Sequence, residues 1–202
     1  MPPLSGMPVP ASPRHSRFWY ADGNLSLQIG VTQYKLHRYL FNKAKCFPAM
    51  SLGTSWFNGG SHPFYLAENS VDFDRFLSVL YPSDYSEHEC KTVEEWSSVL
   101  ILADKWQMDD VRRLAINHLA ACAGPVDKIA LGHRCNVHEW LAPAYLALAA
   151  RREPITSEEG AKMGVEALVR IGALVDEVFG NITDYVDQNK FAEFFATKLS
   201  MY

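Results

Sequence analysis

The run Asn24-Leu25-Ser26-Leu27-Gln28-Ile29, followed by Gln33-Tyr34-Lys35-Leu36-His37-Arg38, decides how this chain is read. Leu25, Leu27 and Ile29 alternate with Asn24, Ser26 and Gln28, which is the period of a half-buried strand. Gly30-Val31-Thr32 supplies a turn, after which Tyr34 and Leu36 resume the alternation, so the pattern predicts a hairpin. At His37-Arg38 the period changes, because Leu40, Phe41 and Ala44 fall at helical spacing. A small sheet therefore hands over to helices at a histidine–arginine pair.

Working outward, residues 1–16 are rich in proline with little that could form a core, and are expected to be disordered. Order is expected from Phe18-Trp19-Tyr20, with a turn at Asp22-Gly23. Downstream, a short helix is expected around residues 47–52, a break at Asn58-Gly59-Gly60-Ser61, and a third strand at Pro63-Phe64-Tyr65-Leu66. Phe73, Phe76, Leu77 and Leu80 then share one helix face, capped by Asn69 or Ser70 and stopped at Tyr81-Pro82. Thr92-Val93-Glu94-Glu95 and Thr156-Ser157-Glu158-Glu159 have the wording of capping boxes. Beyond Gly124-Pro125 everything reads as helix, ending in a segment at 184–199 that carries Tyr185, Phe191, Phe194, Phe195 and Leu199. That stripe either packs back on the preceding helices or docks into a partner's groove. The expected organisation is thus a disordered start at 1–16, a domain at 17–123 and a helical extension at 124–202.

The totals limit the function. The net charge is −4, and neither half has a basic excess: residues 1–124 hold 11 basic and 12 acidic groups, residues 125–202 hold 8 and 11. Phosphate backbones require such an excess, so no nucleic-acid partner is expected. The longest apolar run, Ala144 to Ala150, is far short of a bilayer span, and the N-terminus lacks the pattern of a signal peptide. Cys46, Cys90, Cys122 and Cys135 show no paired spacing and read as reduced thiols of an intracellular protein, cytoplasmic or nuclear.

Six stretches in order carry a family resemblance: 25–29, 34–40, Cys46-Phe47, 64–66, 73–81 (Phe-Asp-Arg-Phe-Leu-Ser-Val-Leu-Tyr) and 99–108 (Val-Leu-Ile-Leu-Ala-Asp-Lys-Trp-Gln-Met). Together they resemble the BTB/POZ domain, and the aromatic-Asp-Gly-Asn run at 18–24 is similar to members numerous in mushroom-forming (basidiomycete) fungi. The resemblance implies an α+β fold, a three-stranded sheet wrapped by helical hairpins and followed by an all-α extension. It also implies a non-enzymatic protein-binding role. That role is self-association as a homodimer or adaptor work, including presentation of substrates to a cullin-based ubiquitin ligase; the alternative is a homo-oligomeric scaffold or transcription-complex component without a cullin. Many animal members place an aspartate where this chain has Asn24, to pair with the arginine corresponding to Arg38; here Asp22 lies two residues earlier. No zinc-finger run or kelch repeat follows in the sequence.

His37 beside Arg38 lacks a nucleophile at a supporting spacing, and is expected to cap the following helix while Arg38 bonds a carboxylate. His133, Cys135 and His138 form the densest cluster of metal-ligand types, but a second ligand pair would have to come from His118 and Cys122; a structural role is expected, with no metal and no cofactor. Gly59-Gly60 lacks the Lys-Ser/Thr of a phosphate loop. The expected interaction residues are Asp22, Asn24, Arg38, Trp56, Phe57 and Tyr85, the last three as surface aromatics.

Overall fold

The computed structural model describes residues 12–48, 63–151 and 153–180, and is of mixed α+β class. The expected short helix near 47–52, the aromatics Trp56 and Phe57, and the stripe from Tyr185 to Leu199 fall mostly or wholly outside the described residues. By internal contacts the chain divides into two units, residues 1–91 with 102–112 and residues 92–101 with 113–202. This division does not coincide with the loop at Gly124-Pro125. The start of α2 (Val93–Lys105) and most of α3 (Asp109–Cys122) find their contacts among the later helices.

The first unit is built on a sheet of four strands rather than three. These are β1 (Arg14–Trp19), β2 (Leu25–Ile29), β3 (Thr32–Leu36) and β4 (Phe64–Tyr65), in spatial order β1-β3-β2-β4. The additional strand is β1, and it includes residues 14–16, which composition had assigned to the disordered start. Proline and serine counts missed it because its pairing is long-range: β1 runs parallel to β3 through an irregular register, Arg14 opposite Gln33 and Trp19 opposite Lys35. The hairpin itself is regular. Leu25 faces Leu36, Leu27 faces Tyr34 and Ile29 faces Thr32, which buries every alternate apolar side chain. Gly30 takes φ +55° at the first position of the two-residue turn, a conformation that glycine adopts without steric cost.

After β3 a single 3₁₀ turn, Arg38–Phe41, leads away from the sheet, and β4 returns to pair in parallel with β2. Helix α1 (Ser70–Leu80) starts where Asn69 Oδ1 accepts the amides of Val71 (2.8 Å) and Asp72 (3.3 Å). It buries Phe73, Phe76 and Leu77. These meet Trp106, whose ring receives Phe47, Phe73 and Phe76 edge-on at centroid distances of 4.9, 5.9 and 5.0 Å. Gln107, in the left-handed region (φ 53°), ends α2: its amide donates to Asp104 O, and the Met108 amide donates to Ala103 O. This is the hydrogen-bond pattern of a glycine-type helix stop, made here by glutamine.

The second unit is helical. The start of α2 is held by the expected box, Glu95 N–H donating to Thr92 Oγ1 and Thr92 N–H to Glu95 Oε2. The chain continues through α4 (Pro125–Arg134), α5 (Leu141–Ala149), α6 (Ser157–Met163) and α7 (Val165–Gly180). One cluster of its core is Ile129, Ala144, Tyr145, Leu148, Met163, Ala167 and Ile171. The second expected capping box, Thr156 with Glu159, opens α6. No helix among the described residues is long and apolar enough to cross a membrane.

Candidate interaction site

The strand-to-helix corner at His37 gathers three of the six expected interaction residues. His37 is extended (φ −102°, ψ 117°) and precedes the 3₁₀ turn, yet its side chain does not cap it. Asn24 does: its Oδ1 accepts the Arg38 amide at 2.8 Å. Asn24 is brought there because Leu25 pairs with Leu36, which sets the start of β2 beside the end of β3. The expectation that His37 would cap the helix start is therefore corrected, and Asn24 has that local structural task.

His37 instead faces three tyrosines, Tyr20, Tyr39 and Tyr81, and an acid. Its amide donates to Tyr81 Oη at 2.8 Å, its Nδ1 lies 3.2 Å from the same oxygen, and its Nε2 lies 3.2 Å from Asp22 Oδ2. One assignment satisfies every group: Tyr81 O–H donates to Nδ1, and Nε2–H donates to Asp22. Tyr20 stacks on Tyr81 with ring centroids 4.8 Å apart and tilts against His37 at 5.1 Å. The hydrogen bond from His37 holds the Asp22 carboxyl below its ordinary range, while burial pushes the Tyr81 phenol up to about 12. A Tyr–His–Asp string has the outline of a proton relay. However, a phenol that acidifies only near 12 is neutral at physiological pH, and its oxygen already accepts a backbone amide. The string fastens the corner.

Two further links tie this corner to α1 and the loop after it. Arg17 on β1 forms a two-pronged pair with Glu89 (2.6 and 2.7 Å) and also donates to the Tyr81 carbonyl at 2.7 Å. Hydrogen bonding from Arg17, opposed by burial, leaves the Glu89 carboxyl lowered to about 2. Asp74 on α1 accepts from Tyr34 Oη at 3.0 Å and lies 3.2 Å from His15 Nε2. None of these partners was legible locally, since Tyr81 is 44 residues from His37 and Glu89 is 72 from Arg17.

Tyr85 lies apart from the corner, on the loop after α1, and is 95% exposed, as expected of a surface aromatic. Its loop is pinned at both feet. Asp84 Oδ1 accepts from the Ser86 amide and hydroxyl, and the Ser83 amide donates to Glu89. Tyr39 and Tyr65 are also exposed large side chains of this unit, and neither had been singled out in the sequence. Their outward direction follows from register: Tyr39 lies in the turn beyond the sheet, and Tyr65 follows Phe64 on the two-residue edge strand.

The histidine and cysteine cluster is structural in its geometry. Cys135 is 1% exposed, and His133 Nε2 lies 2.7 Å from Tyr145 Oη, with burial lowering the His133 pKa. His118, the supposed further ligand, stacks flat on Trp96 at 4.1 Å. Among the described residues no group of three or more histidine, cysteine or acidic side chains could hold a metal ion. No family model matches the chain, and neither a curated protein nor a solved structure shows significant similarity to it.

Proposed function

We propose that this chain is a non-enzymatic protein–protein interaction module of BTB/POZ type, self-associating as a homodimer and acting as an adaptor. The observation that carries the reading is the order of elements. A hairpin closes on His37-Arg38, a 3₁₀ turn follows, a short strand returns to the sheet, and then come one helix and a helix pair enclosing Trp106. The stretches that resemble the family lie on these elements in the same sequence. Further support comes from the corner itself, where the polar groups of Asp22, Asn24, His37 and Tyr81 are engaged with one another. Surface recognition would then fall to outward aromatics such as Tyr39, Tyr65 and Tyr85. The partners are proteins, with a cullin scaffold as the adaptor's docking target, inside the cell.

The test is an affinity pull-down with mass spectrometry, paired with the solution mass of the purified protein by light scattering. Recovery of a cullin, reduced by Tyr85→Ala or Tyr65→Ala, supports the adaptor. A dimer mass without a cullin moves the reading to a homo-oligomeric scaffold or transcription-complex component. A monomer that recovers no protein partner overturns both.

A further inference from the structure

Strand alternation gives the sheet an outer face opposite its core. On β2 and β3 that face is made by Ser26, Gln28, Gln33 and Lys35, while the residues between them are buried. Register continues the face onto both edge strands. Gln33 pairs with Arg14 and Lys35 with Trp19 on β1, and Gln28 pairs with Tyr65 on β4. Tyr65, Arg14 and Ser26 are exposed, and Trp19, Gln28, Gln33 and Lys35 are half-buried. The Arg14 guanidinium lies over the Trp19 ring, 4.6 Å from its centroid. Beside it, Lys35 Nζ donates to Ala21 O at 2.7 Å.

The charges of this face set it apart. Several cations elsewhere are neutralised by carboxylates: Arg17 by Glu89, Lys45 by Asp109, Lys105 by Glu68 and Arg151 by Glu159. Among the described residues neither Arg14 nor Lys35 forms an ion pair, in a chain whose net charge is −4. Asp22, on the turn after β1, is engaged by His37 Nε2 at 3.2 Å. The paired residues of the face thus offer two cations, two aromatic rings and carboxamides, with no acid among them. We infer that the outer face of the sheet docks an acidic, extended segment of a protein partner, with its carboxylates on Arg14 and Lys35 and an apolar side chain on Tyr65. This rests on the reading of the chain as a protein-interaction module, and adds the chemistry that the module selects. A guanidinium held over an indole keeps its N–H edge for a carboxylate, and the Gln33 carboxamide between Arg14 and Gln28 supplies a donor and an acceptor to a peptide backbone. Nucleic acid fits less well, because two cations neutralise few phosphates.

The experiment titrates the full chain into a fluorescein-labelled peptide of alternating glutamate and valine, followed by anisotropy. The same peptide with glutamine for glutamate, an oligothymidylate and vesicles containing phosphatidylserine are run beside it. The acidic peptide should bind, more weakly as salt is raised, and its glutamine counterpart should not. Arg14→Glu and Lys35→Glu should each weaken binding at least about tenfold. Gln33→Glu, which leaves both cations in place, should weaken it as well. Arg134→Glu, at an exposed cation that ends α4, should leave it unchanged. An acidic peptide that does not bind the unmodified chain would overturn the inference, as would binding indifferent to the three variants of the face. Tighter binding of the oligothymidylate or the vesicles overturns it in favour of a nucleic acid or a membrane. A dimer that Arg14→Glu converts to a monomer by light scattering overturns it in favour of a second copy. A pull-down that still recovers a partner, indifferent to Arg14→Glu, removes this face from recognition while the module reading stands.

Discussion

The sheet unit and the helical unit bury their apolar surface by different means. In the sheet unit the core is aromatic and assembled over long sequence separations: Phe41, Phe47, Phe73 and Phe76 converge on Trp106 or on one another, and Arg17 reaches Glu89. In the helical unit one cluster of the core is aliphatic apart from Tyr145, Trp96 and Trp140 are buried singly, and part of the polar work is done by neighbours in sequence, such as Thr156 with Glu159. The contrast teaches where each unit is vulnerable. Long-range aromatic packing cannot close over a missing ring, whereas helices beside an open groove can shift to fill a smaller loss.

The largest expected effect tests that contrast directly. Trp106→Ala should cost about 3–5 kcal/mol, enough to unfold a marginal domain, because three phenylalanine rings lose their common partner. Leu148→Ala, in an open groove of the helical unit that Ile155, Ile171 and Val175 also line, should cost about 2–3 kcal/mol, since its surroundings can relax. Urea denaturation of the two variants checks the order, and equal losses would break the comparison.

Next come two crowded glycines. A Cβ at Gly23 would lie 2.9 Å from Leu36 O and 3.0 Å from Lys35 C, backbone atoms fixed by the β2–β3 pairing. Gly23→Ala should therefore cost about 2–3 kcal/mol. At Gly132 the close neighbour, at 2.7 Å, is the tip of the Leu141 side chain, which can rotate away. Gly132→Ala should cost about 1 kcal/mol or less, as overpacking is offset by the helical preference for alanine. Thermal melts of both variants, on the same scale, decide whether backbone or side chain sets the penalty.

Caps should matter about equally in the two units. Asn24→Ala and Thr156→Ala should each lose about 1 kcal/mol, while Asn24→Asp, which keeps the acceptor oxygen, should lose less. A loss on Asn24→Asp as large as on Asn24→Ala would show that Asn24 does more than cap the turn.

The smallest effect is one of pH. Glu89 and Glu159 are both lowered from 4.5 to about 2, in each case chiefly by hydrogen bonding to an arginine, Arg17 and Arg151 respectively. Folding lowers each pKa, so each contribution is fully present above pH 4.5 and is lost as the pH falls toward 2. Glu89→Gln and Glu159→Gln should therefore show a shallower loss of stability over that window than the unmodified chain. Fluorescence-monitored denaturation between pH 5 and pH 2 checks it, and an unchanged slope would mean that the pair in question is not formed.

How much was legible follows from sequence separation. The hairpin, the α1 face, both capping boxes and the Asn69 cap were readable because each rests on residues within a turn or two of one another. Strand β1 was not, because its parallel partner lies beyond a turn and a whole strand and its composition resembles a loop. The end of α2 was readable as a break but not as a glycine-type stop, since glutamine at φ 53° supplies the left-handed residue. At the candidate site, the corner was visible as a change of period at His37-Arg38. Tyr20, Tyr81, Arg17 and Glu89 were not, because nothing in their neighbourhoods marks them as partners.

By itself the sequence determined the periods, the caps and the absence of a basic excess, which are properties of near neighbours and of sums. Only the tertiary structure decided what His37 does. The hairpin register brings Asn24 to the Arg38 amide, and α1 delivers Tyr81 to the imidazole while Asp22 closes on its far nitrogen. Hydrogen bonds depend on positions within a few tenths of an ångström, and those positions are set by how distant elements pack.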